Sequence, residues 1–197
     1  MPSQMFSRFL KLIVLFAAAC LVIRGGDISG KVSDGKGVAV VYLEAIPGKT
    51  FPAPTKTFIM DQKSRTFRPH VLAVPVGTTV EFLNSDNLNH NIYWPSINGN
   101  KKLGHNMGTW PVEQKRAFKF DTPGVVSLLC NVHAEMSGYI IVTPTPFFAE
   151  TDASGAYRIA DVPNGTYTVS AWQEGLKIAS KRLSVSGDAI VDFASSK

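Results

Sequence analysis

Alternation of apolar and polar residues dominates the chain after its first 26 residues, and no helix-period stretch of useful length appears there. Short apolar runs such as VLAVPVGTTVEFLN, NIYW, VVSLLC and GYIIVT are separated by Gly, Pro, Asn or Asp. Late in the chain, Asn164–Gly165 within DVPNG is a strong hairpin signal between AYRIA and TYTVSAW. The pattern predicts an all-β protein with short strands at the spacing typical of sandwiches.

Prolines cluster near residues 47–57 and again near 143–150, where the composition of the chain changes. These two clusters separate a middle block, residues 56–143, from flanks at 27–55 and 144–197. Both flanks contain strand-like runs of their own. The composition therefore separates a strand-rich middle block from two strand-rich flanks.

The N-terminal residues 1–26 have the composition of a secretory signal. Arg8 and Lys11 precede the twelve apolar residues LIVLFAAACLVI. Twelve residues fall short of the roughly 20 that span a bilayer, although a tilted, uncleaved anchor stays open. Cys20 follows FAAA, so a lipoprotein signal with lipid on Cys20 is an alternative interpretation. Ala17 argues against it, because such signals usually have Leu at that position. We expect export, to the periplasm or an equivalent compartment.

Net charge argues against a nucleic-acid partner. The chain has a formal net charge of +5, and three of its basic residues lie in the first 26 residues. Beyond them, 17 basic residues stand against 15 acidic ones. A nearly balanced mature chain lacks the basic footprint that nucleic-acid binding requires.

Cys130 is the only cysteine beyond the first twenty residues. A lone thiol in an oxidising compartment cannot form an internal disulfide, so Cys130 needs another role. In CNVHAEM it is followed at three-residue intervals by His133 and Met136. A thiolate, an imidazole and a thioether together suit copper, whereas zinc sites rarely recruit Met. A second imidazole is available from His90, which follows the strand-like run VGTTVEFLN.

These motifs give the middle block its resemblance to a known family. VPVGTTVEFLNSD followed by His90-Asn91, and the later C-x2-H-x2-M loop, resemble the cupredoxins, the blue-copper fold. The short loop spacing is most similar to the amicyanin branch. The resemblance implies a Greek-key β-sandwich that holds one copper ion cycling between Cu(I) and Cu(II).

By the same resemblance, each candidate residue has an expected role. His90, Cys130 and His133 would form the trigonal plane of ligands, and Met136 would be the weak axial ligand. Asn91 stands where the family ties the two ligand loops together by hydrogen bonding. We expect no metal role for the other histidines: His70 at the start of a strand is interpreted as structural, and His105 in the polar loop as solvated.

The two flanks together carry a second resemblance. GDISGKVSDGKGVAVVYLEAI and TDASGAYRIADVPNGTYTVSAW look like the carboxypeptidase-regulatory-like, transthyretin-type β-sandwich. The cupredoxin block would then be inserted into a loop of this sandwich. Such domains are mostly binding or spacer modules, so the resemblance implies no catalytic role.

The favoured function is single-electron transfer with a redox partner protein of cytochrome or dehydrogenase type. Two alternative functions are kept. One is copper delivery or storage, and the other is docking of another protein without redox chemistry. Storage proteins tend to use many Met or Cys residues, and this chain has one such cluster. We expect no enzyme activity, because no nucleophile–base pair and no substrate-binding copper is indicated.

A polar segment at residues 95–115 interrupts the strand rhythm and is expected to be a long loop. From 101 to 119 the chain carries five basic residues against the single acid Glu113; the five are Lys101, Lys102, Lys115, Arg116 and Lys119. One interpretation is an ordinary solvated loop. The other is that the segment lies near the copper and steers an acidic redox partner, since charge complementarity raises association rates.

Overall fold

The computed structural model describes residues 25–33, 37–176 and 179–194. The predicted signal or anchor, including Cys20, lies outside the described residues but for its last two positions. Within the described ranges, no helix has the length and apolar character needed to cross a membrane. These ranges consist of β-strands, connecting turns and a 3₁₀ turn at Lys101–Leu103, which confirms the all-β prediction.

The middle block forms one β-sandwich. Its strands are β3 (Phe58–Lys63), β4 (Thr66–Arg68), β5 (Val71–Pro75), β6 (Thr78–Asn84), β7 (His90–Trp94), β8 (His105–Trp110), β9 (Lys115–Phe120), β10 (Gly124–Leu129) and β11 (Ser137–Thr143). One sheet has the order β5-β11-β10-β7-β8, and the facing sheet has the order β4-β3-β6-β9. Most neighbours are antiparallel, whereas β3–β6 and β5–β11 are parallel pairs.

Period-two burial explains how these strands pack. In β6, Thr78, Val80, Phe82 and Asn84 are buried while the residues between them are exposed or half-buried. Alternate side chains of a strand point to opposite faces, so one face of β6 enters the core. That core is a single cluster rich in aromatic and branched side chains, among them Trp94, Trp110, Phe67, Phe82, Phe120, Ile92, Leu128 and Ile140.

The two flanks form the second sandwich. Its strands are β1 (Gly26–Ser33), β2 (Ala39–Leu43), β12 (Phe148–Glu150), β13 (Ala156–Val162), β14 (Gly165–Gln173), β15 (Ala179–Val185), β16 (Ala189–Ile190) and β17 (Phe193–Ala194). One sheet is β13-β1-β16, with β17 also pairing with β1, and the other is β12-β2-β14-β15. The chain thus leaves this sandwich after β2 and returns at β12, with the middle sandwich between.

The hairpin predicted at Asn164–Gly165 is wrong. β13 pairs with β1, whereas β14 pairs with β2 and β15, so DVPNG carries the chain from one sheet to the other. The Tyr167 hydroxyl donates to the Pro163 carbonyl at 2.9 Å and holds this corner. A Cβ at Gly165 would lie 2.6 Å from the Tyr167 hydroxyl oxygen, so glycine is required by the corner rather than by a hairpin turn.

The prediction of a structureless loop at 95–115 is also wrong in part. Residues 105–110 form β8, an edge strand antiparallel to β7. The register shifts between Asn91 and Tyr93, and Gly108 has a φ of +78°. Such an irregular edge strand breaks the apolar alternation, which is why the sequence pattern conceals it.

The two sandwiches meet at a small apolar cluster. Val40 and Trp172 of the flanking sandwich pack against Val71, Ala73 and Ile141 of the middle one. Polar contacts cross the same boundary. The Ala73 amide donates to the Glu150 carboxylate at 2.9 Å.

Candidate metal centre

Strand pairing brings two separate loops to one end of the middle sandwich. His90 begins β7 after the loop that follows β6, and Cys130 follows the last residue of β10. Because β7 and β10 are antiparallel neighbours, the start of β7 lies beside the end of β10. Residues forty positions apart in sequence therefore meet in space.

His90, Cys130 and His133 form a compact group of potential ligands. One ligand atom from each lies within 4.8 Å of the others. The Nδ1 atoms of His90 and His133 are 3.1 Å apart, and their rings are tilted by 56° with centroids 4.8 Å apart. His90 is fully buried and Cys130 is 5% exposed, whereas His133 is only half-buried.

Met136 lies directly after this group on the same loop. Its backbone amide donates to the His133 carbonyl at 3.1 Å, which closes a turn between the two residues. Its side chain is 1% exposed and belongs to the same core cluster as Cys130. The thioether is thus buried in the same core cluster as the thiol.

Asn91 connects the two ligand loops. Its backbone amide donates to Cys130 Sγ at 3.5 Å, and its side-chain oxygen accepts from the Asn131 amide at 3.3 Å. Its side-chain nitrogen donates to Asn106 Oδ1 on β8 at 2.9 Å. These three hydrogen bonds fix the thiol and the start of its loop relative to His90.

Asp86 contributes to the site although the sequence analysis did not single it out. Its carboxylate lies 3.0 Å from Nε2 of His90. A hydrogen bond from the Arg65 backbone amide, followed by that from His90, holds the pKa of Asp86 below its ordinary value. The available signal was an acid four residues before a histidine in the polar run NSDNLNH.

The donor set fits copper. Two imidazole nitrogens each bonded at about 2 Å to one ion must lie within about 4 Å of each other, and the 3.1 Å Nδ1 separation satisfies this condition. A thiolate and two imidazoles with a buried thioether nearby match the soft and borderline ligands that copper selects. Four-cysteine or paired-cysteine zinc chemistry would require sulfur donors that these loops do not contain.

His70 and His105, the remaining histidines of the described residues, are not members of this group. His105 is exposed at the far end of the β7–β8 ladder, where its ring packs against Trp94. His70 hydrogen-bonds to Glu174 of the flanking sandwich through its Nε2 atom at 2.7 Å.

The expectation that the basic segment lies near the metal site is wrong for Lys101 and Lys102. His90 pairs with Trp110 and Trp94 pairs with His105, so residues 101–103 lie beyond the opposite end of β7. At 3.3 Å per residue, that end is about 13 Å from His90.

Other basic residues of the segment are engaged locally. Lys115 pairs with Glu81 at 3.0 Å, and Lys119 pairs with Asp121 at 2.8 Å. The guanidinium of Arg116 lies over the Trp110 ring, 4.9 Å from its centroid. These contacts reduce the free positive charge of the segment.

Comparison with known proteins finds similarity to solved cupredoxins. An oxidised mutant of amicyanin is 21% identical, with 43% of this chain and 80% of that chain covered and a TM-score of 0.40. A purple cupredoxin from Nitrosopumilus maritimus is 24% identical, with 44% and 99% covered and a TM-score of 0.39. A copper-containing nitrite reductase from Thermus scotoductus is 26% identical, with 51% and 25% covered and a TM-score of 0.41.

A family model described as polysaccharide lyase family 4, domain II, matches residues 136–190. The matched residues run from the end of the ligand loop through most of the second part of the flanking sandwich. The search of curated proteins finds no match. The carboxypeptidase-regulatory-like character of the flanking sandwich stays a prediction.

Proposed function

We propose that this chain is a copper-binding electron carrier, with His90, Cys130 and His133 as ligands and Met136 as a weak fourth. The observation that carries the proposal is the convergence of a thiol and two imidazole nitrogens within 4.8 Å, from loops forty residues apart. Bound copper would supply a one-electron couple between Cu(I) and Cu(II).

The protein's own contribution is a rigid set of donors. His90, Cys130 and Met136 are all at least 95% buried, and Asn91 ties their loops together. Side chains locked by packing and hydrogen bonds cannot rearrange freely when the charge of a bound ion changes. If the donors move little when copper changes its oxidation state, electron exchange can be fast.

Half-buried His133 is the proposed ligand with the most access to solvent, and exposed apolar residues lie at the same end of the sandwich. Val132 precedes it at 49% exposure, and Leu88 and Val112 lie in neighbouring loops of the same end at 45% and 40%. An apolar patch beside a redox group suits a small, transient interface with a partner protein. We propose this end as the site of electron exchange.

Burial of the donors argues against copper delivery, because a delivery site must release its ion to another protein. Electron transfer also requires no substrate pocket, and we propose no enzyme activity. Export, which the N-terminal sequence favours, stays part of the proposal.

Voltammetry of the copper-loaded protein tests the proposal against delivery. We expect a reversible one-electron wave, one copper per chain, and slow loss of Cu(I) to a soluble chelator. An irreversible wave with rapid loss of Cu(I) would contradict the electron-carrier function and favour delivery.

A further inference from the structure

Each ring nitrogen of the fully buried His90 lies within hydrogen-bonding distance of another side chain. Nδ1 faces Nδ1 of His133 at 3.1 Å, inside the ligand group, and Nε2 lies 3.0 Å from Asp86 Oδ2 on the other side of the ring. A carboxylate only accepts hydrogen bonds when ionised, so Nε2 carries the proton that is donated to Asp86. The Nδ1 lone pair is then directed toward the ligand group.

We propose that Asp86 is a positioning residue that fixes the tautomer and orientation of His90 and lowers the reduction potential of the bound copper. A carboxylate that accepts the second N–H of a ligating histidine raises the basicity of the imidazole. A more basic ligand stabilises the more highly charged Cu(II) over Cu(I). The part of this inference that concerns the potential rests on the proposed function, whereas the part that concerns the tautomer does not.

Asp86 is itself held in place for this role. Its Oδ2 accepts from the Arg65 backbone amide at 2.8 Å as well as from His90, and its Oδ1 accepts from the Asn87 amide at 3.1 Å. Its side chain is only 17% exposed. A carboxylate with these fixed partners cannot swing freely into solvent.

The tip of the β3–β4 hairpin supplies one of those partners through an uncommon backbone conformation. Ser64 and Arg65 have φ values of 55° and 53°, and this turn directs the Arg65 amide at Asp86. The Arg65 guanidinium also lies 4.0 Å from Glu135, between His133 and Met136 on the other ligand loop. The hairpin tip therefore contacts both loops of the metal site.

Asp61 offers a matched control on the same hairpin. Its Oδ1 accepts from the Ser85 amide at 3.1 Å, one residue before Asp86, and it is half-buried. Its hydrogen bond is to the loop and not to His90. Asp61→Asn removes one negative charge near the site without touching the proposed contact.

Two-bond ¹H–¹⁵N NMR on the copper-free full chain tests the tautomer directly. We expect His90 to be the Nε2–H form in the wild type, in Asp61→Asn and in Asp86→Asn, whose amide oxygen can still accept. In Asp86→Ala we expect part or all of the proton on Nδ1. An unchanged Nε2–H form in Asp86→Ala, with the fold intact by ¹H–¹⁵N correlation spectra, would overturn the proposal.

Copper titration and voltammetry of the same variants test the tuning. We expect a positive shift of the potential in Asp86→Asn and Asp86→Ala that exceeds any shift in Asp61→Asn, and Cu(II) affinity about 10- to 100-fold weaker in Asp86→Ala. Equal shifts in Asp86→Asn and Asp61→Asn would show general charge loss and overturn the tuning role. A wild type with His90 as the Nε2–H form that binds no copper would contradict the proposed function while supporting the tautomer assignment.

Discussion

The Nδ1 atoms of His90 and His133 face each other at 3.1 Å, although His90 begins β7 and His133 lies in the loop between β10 and β11. With Nε2 of His90 donating to Asp86, Nδ1 of His90 presents a lone pair to this contact. Two imidazole nitrogens at this separation can share a cation or a proton between them. This arrangement supports the proposal that His90 and His133 are a pair of metal ligands.

Replacement of His133 by Ala is expected to weaken Cu(II) binding by more than the 10- to 100-fold typical of a lost outer contact, because a direct ligand disappears. Competitive titration with a chelator measures the change. His105→Ala removes an exposed histidine about 13 Å from His90 and should leave the affinity unchanged. Equal affinities in wild type and His133→Ala would remove His133 from the ligand set.

Met136→Gln is expected to lower the reduction potential while copper stays bound, because axial thioethers are weak ligands and tune the potential. Met136 is 1% exposed, so a buried amide also costs stability, on the order of 1–3 kcal/mol if it lacks a partner. Met136→Leu, of similar volume, separates packing from ligation. Loss of copper from both variants would contradict the axial role and make the thioether essential.

Val132→Asp is expected to slow electron exchange with the native partner several-fold, because it places a charge in the exposed apolar patch beside His133. Stopped-flow kinetics at low and high salt measure the effect. Ile190→Asp is the control, since Ile190 is 76% exposed on the flanking sandwich. Lys101→Glu should also have little effect, given its place at the far end of β7.

Glu174 links the two sandwiches and gives a pH-dependent contribution to stability. Its hydrogen bond with His70 is the main cause that holds the pKa of Glu174 below its ordinary value of 4.5, and Tyr139 adds a second hydrogen bond. A lowered carboxyl pKa in the folded state stabilises the fold above pH 4.5, and this stabilisation is lost as pH falls through the folded pKa.

Glu174→Gln should therefore lower the free energy of unfolding near neutral pH, by less than about 1 kcal/mol because the pair is partly exposed. Urea unfolding at about pH 7 and about pH 3 measures the difference between variant and wild type. The difference should shrink at the lower pH. A difference that grows on acidification would contradict the hydrogen-bonded Glu174 carboxylate as its cause.

The all-β class and the grouping of the candidate ligands His90, Cys130 and His133 could be predicted from local sequence signals. Alternation marks most strands, and C-x2-H-x2-M places three donors on one loop whatever the rest of the fold does. His90 was found because a strand-like run leads into the short polar loop that precedes it. These signals depend on residues close in sequence.

Features that depend on distant pairing could not be predicted in this way. The edge strand β8 follows a shifted register, and the corner at Gly165 imitates a hairpin turn. One of the two interpretations of the basic segment placed Lys101 near the metal, but the antiparallel strand β8 brings the chain back to His90 only at Trp110. Asp86 was not predicted because its contact with His90 is held in place by the Arg65 amide, which comes from a different hairpin.

The visible absorption spectrum of the Cu(II)-loaded protein, compared with that of Cys130→Ser, tests the central claim most directly. A Cys130 thiolate bonded to Cu(II) gives an intense charge-transfer band, so we expect a blue wild type and a variant without this band whose far-UV circular dichroism is unchanged. A wild-type protein that is fully loaded with oxidised copper and colourless would contradict the claim.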